Sequence, residues 1–275
     1  MKIFLNNKWI DERLAKISIY DLSILRGFGV FDFLRTYNRK PFLLEEHINR
    51  FFRSLKTLQL KPAYNKNKIK EIIYQGIDLN KGSDLNIRII QTGGVAEDGI
   101  TPSQPNFAIL FTKAISYPKT YYTKGIKIIT TPYARIFPSA KTLNYTAGVL
   151  ALLKAKRQNA VEALYVDDKY IYECITSNFF AVIKEKIYTP KDKILIGTVR
   201  NLVIKLAKKL NLPIIETKLK INQIKNFDEA FITASNKEIM PVVQINNLVI
   251  GDKQPGPITR KLLLEYKILT NQKAN

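Results

Sequence analysis

The chain opens on two short apolar runs set either side of a pair of asparagines. In "KIFLNNKWI" (residues 2–10) the runs flank Asn6-Asn7, which predicts a β-hairpin. A second hairpin is predicted over "GVFDFLRTYNRKPFLL" (29–44), where aromatic and β-branched positions alternate on both sides of a turn containing Asn38. The period then changes. In "EEHINRFFRSLKTLQL" (45–60), Ile48, Phe51, Phe52, Leu55 and Leu58 recur at three to four residues, the mark of a helix with one buried face. Another helix is predicted near 67–78, and strands over 85–92 and 106–112 around a Gly93-Gly94 loop.

The stretch "KAISYPKTYYTKG" (113–125) mixes Pro, Gly and polar aromatics without periodicity and reads as an interdomain linker. Beyond it the pattern predicts strands at 126–132, 162–167, 178–183, 186–190, 213–217, 229–235 and 242–250. Helices are predicted at about 145–158, at 198–210 and from Pro257 onward. The expected fold class is therefore α/β (α+β): a domain over 1–115, a linker over 116–125 and a second domain over 126–275, with mostly antiparallel strands.

Composition narrows the function classes. With 275 residues and 46% hydrophobic content the chain can bury two cores. One cysteine, Cys174, excludes an intramolecular disulfide and fits a reducing compartment. One histidine and one cysteine do not make the usual zinc site, so no metal is expected. No apolar run approaches the roughly 20 residues of a membrane helix, and "MKIFLNNKWIDERLAK" lacks the apolar stretch of a signal peptide, so the expected location is the cytoplasm, with no membrane partner. The net charge of +21 raises nucleic-acid binding as an alternative. The basic clusters are short, however. "KAKRQ" (154–158) and "KLAKKL" (205–210) lie on amphipathic helical patterns with no nucleic-acid motif beside them, so no nucleic-acid partner is expected. The charge can instead steer small anions.

Candidate chemistry centres on "PSAKTLNYTAGVLA", where Lys141 precedes a helical pattern. Six blocks follow one another along the chain: "RGFGVFDFLRTYNRKPFLLEEHINRFFRS", "KTLNYTAGVLA", "YIYECITSNFFAVIKEKIYTP", "LIGTVR", "EAFITASNKEIMPVVQI" and "GPITRKLL". In their wording, order and spacing the chain resembles the class IV (fold-type IV) pyridoxal-phosphate enzymes: branched-chain aminotransferases, D-amino-acid aminotransferases and aminodeoxychorismate lyases. The resemblance implies a smaller N-terminal α/β domain and a larger C-terminal, pyridoxal-phosphate-binding domain with a barrel-like sheet. It also implies a homodimer and pyridoxal 5'-phosphate as cofactor.

The resemblance carries roles residue by residue. Lys141 matches the Schiff-base lysine, and Tyr145 a tyrosine bonded to the cofactor's phenolic oxygen. Glu173 matches the carboxylate facing the pyridine nitrogen, and Ser177 and Asn178, close behind it, are further cofactor-binding positions. Gly197, Thr198 and Val199 match the helix start that binds phosphate through backbone N–H groups. Leu195 matches the residue packed on the ring, Arg50 a phosphate-binding arginine on the helix face opposite the deepest apolar positions, and Ser235 and Asn236 further phosphate contacts. His47, one turn before Arg50, reads as structural.

The reaction expected is transfer of an amino group between an amino acid, branched-chain L- or D-, and a 2-oxo acid such as 2-oxoglutarate. The alternatives are an aminodeoxychorismate lyase and, further off, a basic nucleic-acid-binding protein. The loop "TGGVAEDGITPSQP" (92–105) lacks the arginine and histidine with which the best-known D-amino-acid enzymes hold the α-carboxylate. "SNFF" departs from branched-chain wording, and "TASNKEIMPV" lacks the lyases' Asn-Ser pair. "DLSILRGFGVFDF" (21–33) resembles a less common D-amino-acid group in which an arginine like Arg26 reaches substrate across a dimer interface. A second arginine of that group is Thr176 here. Arg26, Arg35 and Arg88 are the candidates for a substrate carboxylate, with Phe31 and Thr176 completing the substrate set.

Overall fold

The structure, a computed structural model, describes residues 1–274; residue 275, the last of the second expected domain, lies outside them. Contacts divide the chain into two units: Met1–Ile115 with Ser139–Tyr145 and the chain from Thr270, and Ser116–Pro138 with Thr146–Leu269.

The first unit contains β1 (Lys2–Leu5), β2 (Lys8–Asp11), α1 (Leu22–Arg26), β3 (Gly29–Tyr37), β4 (Lys40–Pro41), α2 (Leu44–Thr57), α3 (Lys66–Leu79), β5 (Leu85–Thr92) and β6 (Phe107–Lys113). Its strands form one antiparallel sheet in the order β2-β1-β6-β5-β3-β4. Both expected hairpins are present. Asn6 and Asn7 take φ of 43° and 72°, and Asn38 and Arg39 take 47° and 64°, the left-handed pair that matches strand twist in a two-residue turn. Along β3 the alternation separates two faces. Val30, Asp32, Leu34 and Thr36 are fully buried toward α2, while Phe31 and Phe33 on the other face are only half-buried. Ile48, Phe51 and Leu55 of α2 join Ile69, Ile72 and Ile73 of α3 and Ile87, Ile89 and Phe111 of the sheet in one core. Each such side chain contributes roughly 1.5–3 kcal/mol by burial. Gly76 lets α3 lie close on the sheet, since a Cβ there would stand 2.0 Å from the Phe111 ring.

The segment Ser139–Tyr145 belongs to this unit by contact, although it falls within the expected 126–275 domain. It runs beside the start of β3: Phe31 N–H donates to Lys141 O at 2.9 Å, Leu143 N–H donates to Gly29 O at 2.9 Å, and Val30 and Thr142 form a bridge.

The second unit contains α4 (Lys119–Thr123), β7 (Ile126–Pro132), α5 (Thr146–Arg157), β8 (Glu162–Val166), β9 (Tyr170–Cys174), β10 (Asn178–Ile183), β11 (Lys186–Pro190), α6 (Thr198–Lys209), β12 (Ile214–Thr217), β13 (Leu219–Lys220), β14 (Glu229–Ala234), β15 (Glu238–Ile245), β16 (Leu248–Val249) and most of α7 (Pro257–Ala274). Its sheet runs β12-β11-β10-β14-β15-β7-β8-β9-β13, with β16 beside β15. Three pairings, β7 with β8, β7 with β15 and β11 with β12, are parallel. Strands β9 and β13 also pack on β11, so the sheet curls nearly into a barrel. Residues 116–125, expected as a linker, carry α4 and count with this unit. The single strand expected at 242–250 is a hairpin instead. Asn246 takes φ 53° and turns β15 into β16, the same asparagine-pair signal as at Asn6-Asn7. No helix among the described residues is long and apolar enough to cross a membrane.

Candidate active site

In the first unit the expected residues Lys141, Tyr145 and Phe31 gather around the start of β3. Lys141 is buried, and its backbone is fixed on two sides, by the bond from Phe31 N–H and by its own N–H donating to Ser54 Oγ of α2 at 3.0 Å. Its ammonium lies 3.4 Å from the Tyr145 hydroxyl and 4.6 Å from the centroid of the Phe31 ring. Phe31 and Tyr145 meet edge to face at 5.6 Å. An extended segment followed by a helix start thus places Lys141 and Tyr145, four residues apart, on one aromatic floor.

Beneath that floor, on the buried face of β3, lies Asp32. Arg50 Nε and Nη2 donate to its two oxygens at 2.8 Å each, and His47 Nδ1 is 2.7 Å from Oδ1. Burial raises the Asp32 carboxyl, but the Arg50 guanidinium and His47 outweigh it and hold it below the usual carboxylate range. Burial pushes the His47 imidazole down, toward the neutral form, against the pull of Asp32. Arg50 therefore does not face away from the apolar positions as expected. It is buried, because α2 turns His47 and Arg50, one turn apart, onto the single acid of β3. Sequence reasoning missed Asp32, although a lone acid inside an aromatic strand alternation was a legible signal.

In the second unit the centre is Glu173, near the end of β9 and 3% exposed. Its Oε1 accepts from Arg135 Nε at 2.6 Å and from Leu195 N–H at 3.0 Å, and its Oε2 from Asn178 Nδ2 at 3.3 Å. Asn178 Nδ2 also donates to Leu195 O at 2.7 Å. Gly197, the N-cap of α6, must be glycine for space: a Cβ would stand 1.9 Å from Asn178 Oδ1. It therefore supplies no capping side chain, and the first turn of α6, with Thr198 and Val199 buried, carries no acid. A helix start of this kind suits a phosphate, whose charge the helix dipole favours. A buried carboxylate held by an arginine and an amide suits a protonated ring nitrogen. These residues fit pyridoxal phosphate. Arg135 was not among the expected residues. It lies in the irregular segment after β7, and nothing in the sequence sets it apart from the other basic residues.

The other expected residues distribute as follows. Thr176 and Ser177 spend their hydroxyls on Glu162, at 3.1 and 3.0 Å. The Leu195 side chain is buried. Ser235 and Asn236 form the turn after β14, and Asn236 Nδ2 reaches the Tyr117 hydroxyl at 3.5 Å. Arg26 ends α1, exposed, with its guanidinium on Leu25 O. Arg88 is exposed, its guanidinium 5.9 Å from the Phe31 ring centroid and 5.8 Å from that of Phe33. Arg35 is buried over the Tyr37 ring at 4.6 Å, with Nε lacking a partner among the described residues. Phe31 is thus the residue that brings a candidate arginine, Arg88, and Lys141 to one place.

Comparison with known proteins places the chain in a family. The family model for amino-transferase class IV matches residues 29–245. The chain is 36% identical to a putative branched-chain-amino-acid aminotransferase of Methanocaldococcus jannaschii, covering 97% of this chain and 96% of that one. It is 32% identical to a D-alanine aminotransferase of Staphylococcus aureus, covering 95% of each. Among solved structures it is similar to a T.th. branched-chain amino acid aminotransferase with pyridoxamine 5'-phosphate, at TM-score 0.93 and 26% identity over 99% of this chain and 94% of that one. The fold is fold-type IV, and the chain belongs to the class IV aminotransferases, enzymes whose cofactor is pyridoxal 5'-phosphate.

Proposed function

We propose that the enzyme moves the amino group of a branched-chain L-amino acid or a D-amino acid to a 2-oxo acid such as 2-oxoglutarate, with Lys141 as the residue that carries the chemistry. The observation that supports this most is the environment of Lys141: a buried amine, fixed through its own backbone, beside a tyrosine hydroxyl and over an aromatic ring. Relatives named for both substrate classes, at 36% and 32% identity, support the breadth of the donor class.

Pyridoxal phosphate, when bound, supplies an aldehyde carbon that bonds amines and a ring that takes up electron density from the substrate's α-carbon. Lys141 Nζ would anchor it and, as the free amine, would carry the proton from the substrate's α-carbon to the aldehyde-derived carbon. The Tyr145 hydroxyl orients that amine, and Phe31 keeps water from beneath it. Glu173 would hold a proton on the ring nitrogen, with Arg135 and Leu195 N–H keeping the carboxylate in place. The N–H groups of Thr198 and Val199 would hold the phosphate behind Gly197, joined by Ser235, Asn236 and Arg50. Ser177 and Asn178 would contact the cofactor from the turn beside Glu173, and Leu195 would pack on the ring. Arg88 binds the substrate carboxylate, because among the three candidate arginines it is the exposed one that shares Phe31 with Lys141.

The functional form is a homodimer. Leu14, Ile19, Tyr20 and Ile24, near one another in the sequence of the first unit, are each exposed by more than half, and a second copy of the chain would cover such apolar side chains. Arg26, at the end of α1, then serves the partner's substrate. The small-molecule substrates and the lone buried thiol of Cys174 suit the cytoplasm. The test is a half-reaction: the yellow holoenzyme is mixed with a panel of D- and L-amino acids. Bleaching by branched-chain L- or by D-amino acids is expected, and no bleaching by any amino acid would sink the proposal.

A further inference from the structure

Lys237 and Glu162 form a buried ion pair that the chemistry above leaves unused. Lys237 Nζ lies 2.8 Å from Glu162 Oε2, with the side chains 6% and 2% exposed. Glu162 sits at the start of β8, and its carboxylate also receives the Thr176 N–H at 3.2 Å, the Thr176 hydroxyl at 3.1 Å and the Ser177 hydroxyl at 3.0 Å. Lys237 Nζ donates a second bond to Thr176 Oγ1 at 2.5 Å, and the Tyr117 ring lies 5.8 Å away. The Tyr117 hydroxyl in turn takes Asn236 Nδ2, and Lys237 N–H closes the turn on Ala234 O at 3.1 Å. One lysine therefore ties the turn between β14 and β15 to the turn between β9 and β10. Burial alone would lower the lysine's pKa, but Glu162 outweighs it and keeps the ammonium charged.

A buried pair of this kind is a poor source of stability, because desolvation consumes most of the Coulombic gain, and an apolar pair of similar size holds a core as well. Its distinctive property is direction. Glu162 has four donors arranged around it, which fixes two backbone turns to a fraction of an ångström.

We infer that Lys237 and Glu162 are a positioning pair that clasps the Ser235–Asn236 turn to the Thr176–Asn178 turn and thereby sets the affinity for pyridoxal phosphate. The inference rests on the proposed cofactor contacts of Ser235, Asn236 and Asn178. Neither member of the pair need touch the cofactor.

The test compares cofactor affinity with thermal stability in the full chain, by spectral titration of cofactor-depleted enzyme with pyridoxal phosphate and by melting. Lys237→Met leaves Glu162 unpaired and is expected to weaken binding about tenfold or more, whereas Lys237→Arg keeps it within about threefold. The double variant Glu162→Gln with Lys237→Met removes both charges. It should melt near the parent and still bind about tenfold more weakly. A double variant that binds as tightly as the parent, or one that loses affinity only because it melts far below it, would overturn the inference. Ser235→Ala separates the two readings: unchanged affinity there refutes the proposed cofactor contact, while weakened affinity with a normal double variant refutes the clasp.

Discussion

Arg135 Nε stands 2.6 Å from Glu173 Oε1, and the same guanidinium reaches Ile175 O at 2.8 Å, so one arginine holds both the carboxylate and the backbone two residues beyond it. The arginine and the glutamate are each buried to about nine-tenths or more. An uncompensated buried carboxylate costs several kcal/mol. Arg135→Leu should therefore let Glu173 take up a proton or swing away, lowering turnover by about tenfold or more, since a charge-assisted hydrogen bond contributes roughly 1.5–3 kcal/mol. Arg135→Lys keeps the charge and should recover part of that loss. Steady-state kinetics with both variants decides the matter, and unaltered turnover in Arg135→Leu would count against any role for the pair.

Gly197 offers a test of space rather than of backbone freedom. Its φ is −74°, which any residue can adopt, yet a Cβ would meet Asn178 Oδ1 at 1.9 Å. Gly197→Ala must displace the Asn178 amide, and overpacking of this kind costs roughly 1–3 kcal/mol. Because Asn178 also bonds Glu173 and Leu195, the loss should fall on pyridoxal-phosphate affinity, measured by spectral titration. Affinity equal to that of the parent would show that the start of α6 takes no part in binding.

The Asp32 cluster sets a pH dependence whose sign follows from two shifts. The Asp32 carboxyl is held below its ordinary value, so its contribution is full above the usual carboxylate pKa of about 3.9 and is lost as pH falls below it. His47 is also lowered, by burial. The folded chain resists its proton, and stability is full above the imidazole's ordinary pKa of about 6.5 and declines as pH drops below that. Both slopes run the same way, so the melting temperature should fall on acidification from about pH 6.5 downward. His47→Gln, which cannot charge, should flatten the fall between about pH 6.5 and 5. An unchanged slope in that window would place the titration elsewhere.

Arg88 and Arg35 share a sheet but not a fate. Arg88 is exposed over Phe31, while Arg35 is buried on Tyr37. Arg88→Ala should raise KM for the acceptor 2-oxo acid about tenfold with little change in melting, as expected when a binding contact alone is removed. Arg35→Ala should act mainly on stability. The reverse pattern, read from kinetics and melting together, would reassign the carboxylate-binding role.

Much of the fold is legible in the chain because local signals and tertiary demands agree. The asparagine pair at 6–7 marks a hairpin, and the spacing of Ile48, Phe51 and Leu55 marks the buried face of α2. The blocks around Lys141, Glu173 and Gly197 carry the family resemblance. What stays hidden depends on partners distant in sequence. Arg50 reads as facing away from the core because helical periodicity does not register an acid waiting on β3. Arg135 and Lys237 are two among 44 basic residues until folding sets each against a buried glutamate. Position along the chain assigns 139–145 to the second domain, whereas its hydrogen bonds to Gly29 and Phe31 decide where it packs.

The central claim is that Lys141 carries the chemistry, and Lys141→Ala measures it most directly. The variant should keep its melting temperature within a few degrees, lose the long-wavelength absorbance of covalently held pyridoxal phosphate, and lose turnover by about a thousandfold or more, the scale on which removal of a reacting group acts. Near-normal turnover of Lys141→Ala without added amine would contradict the account.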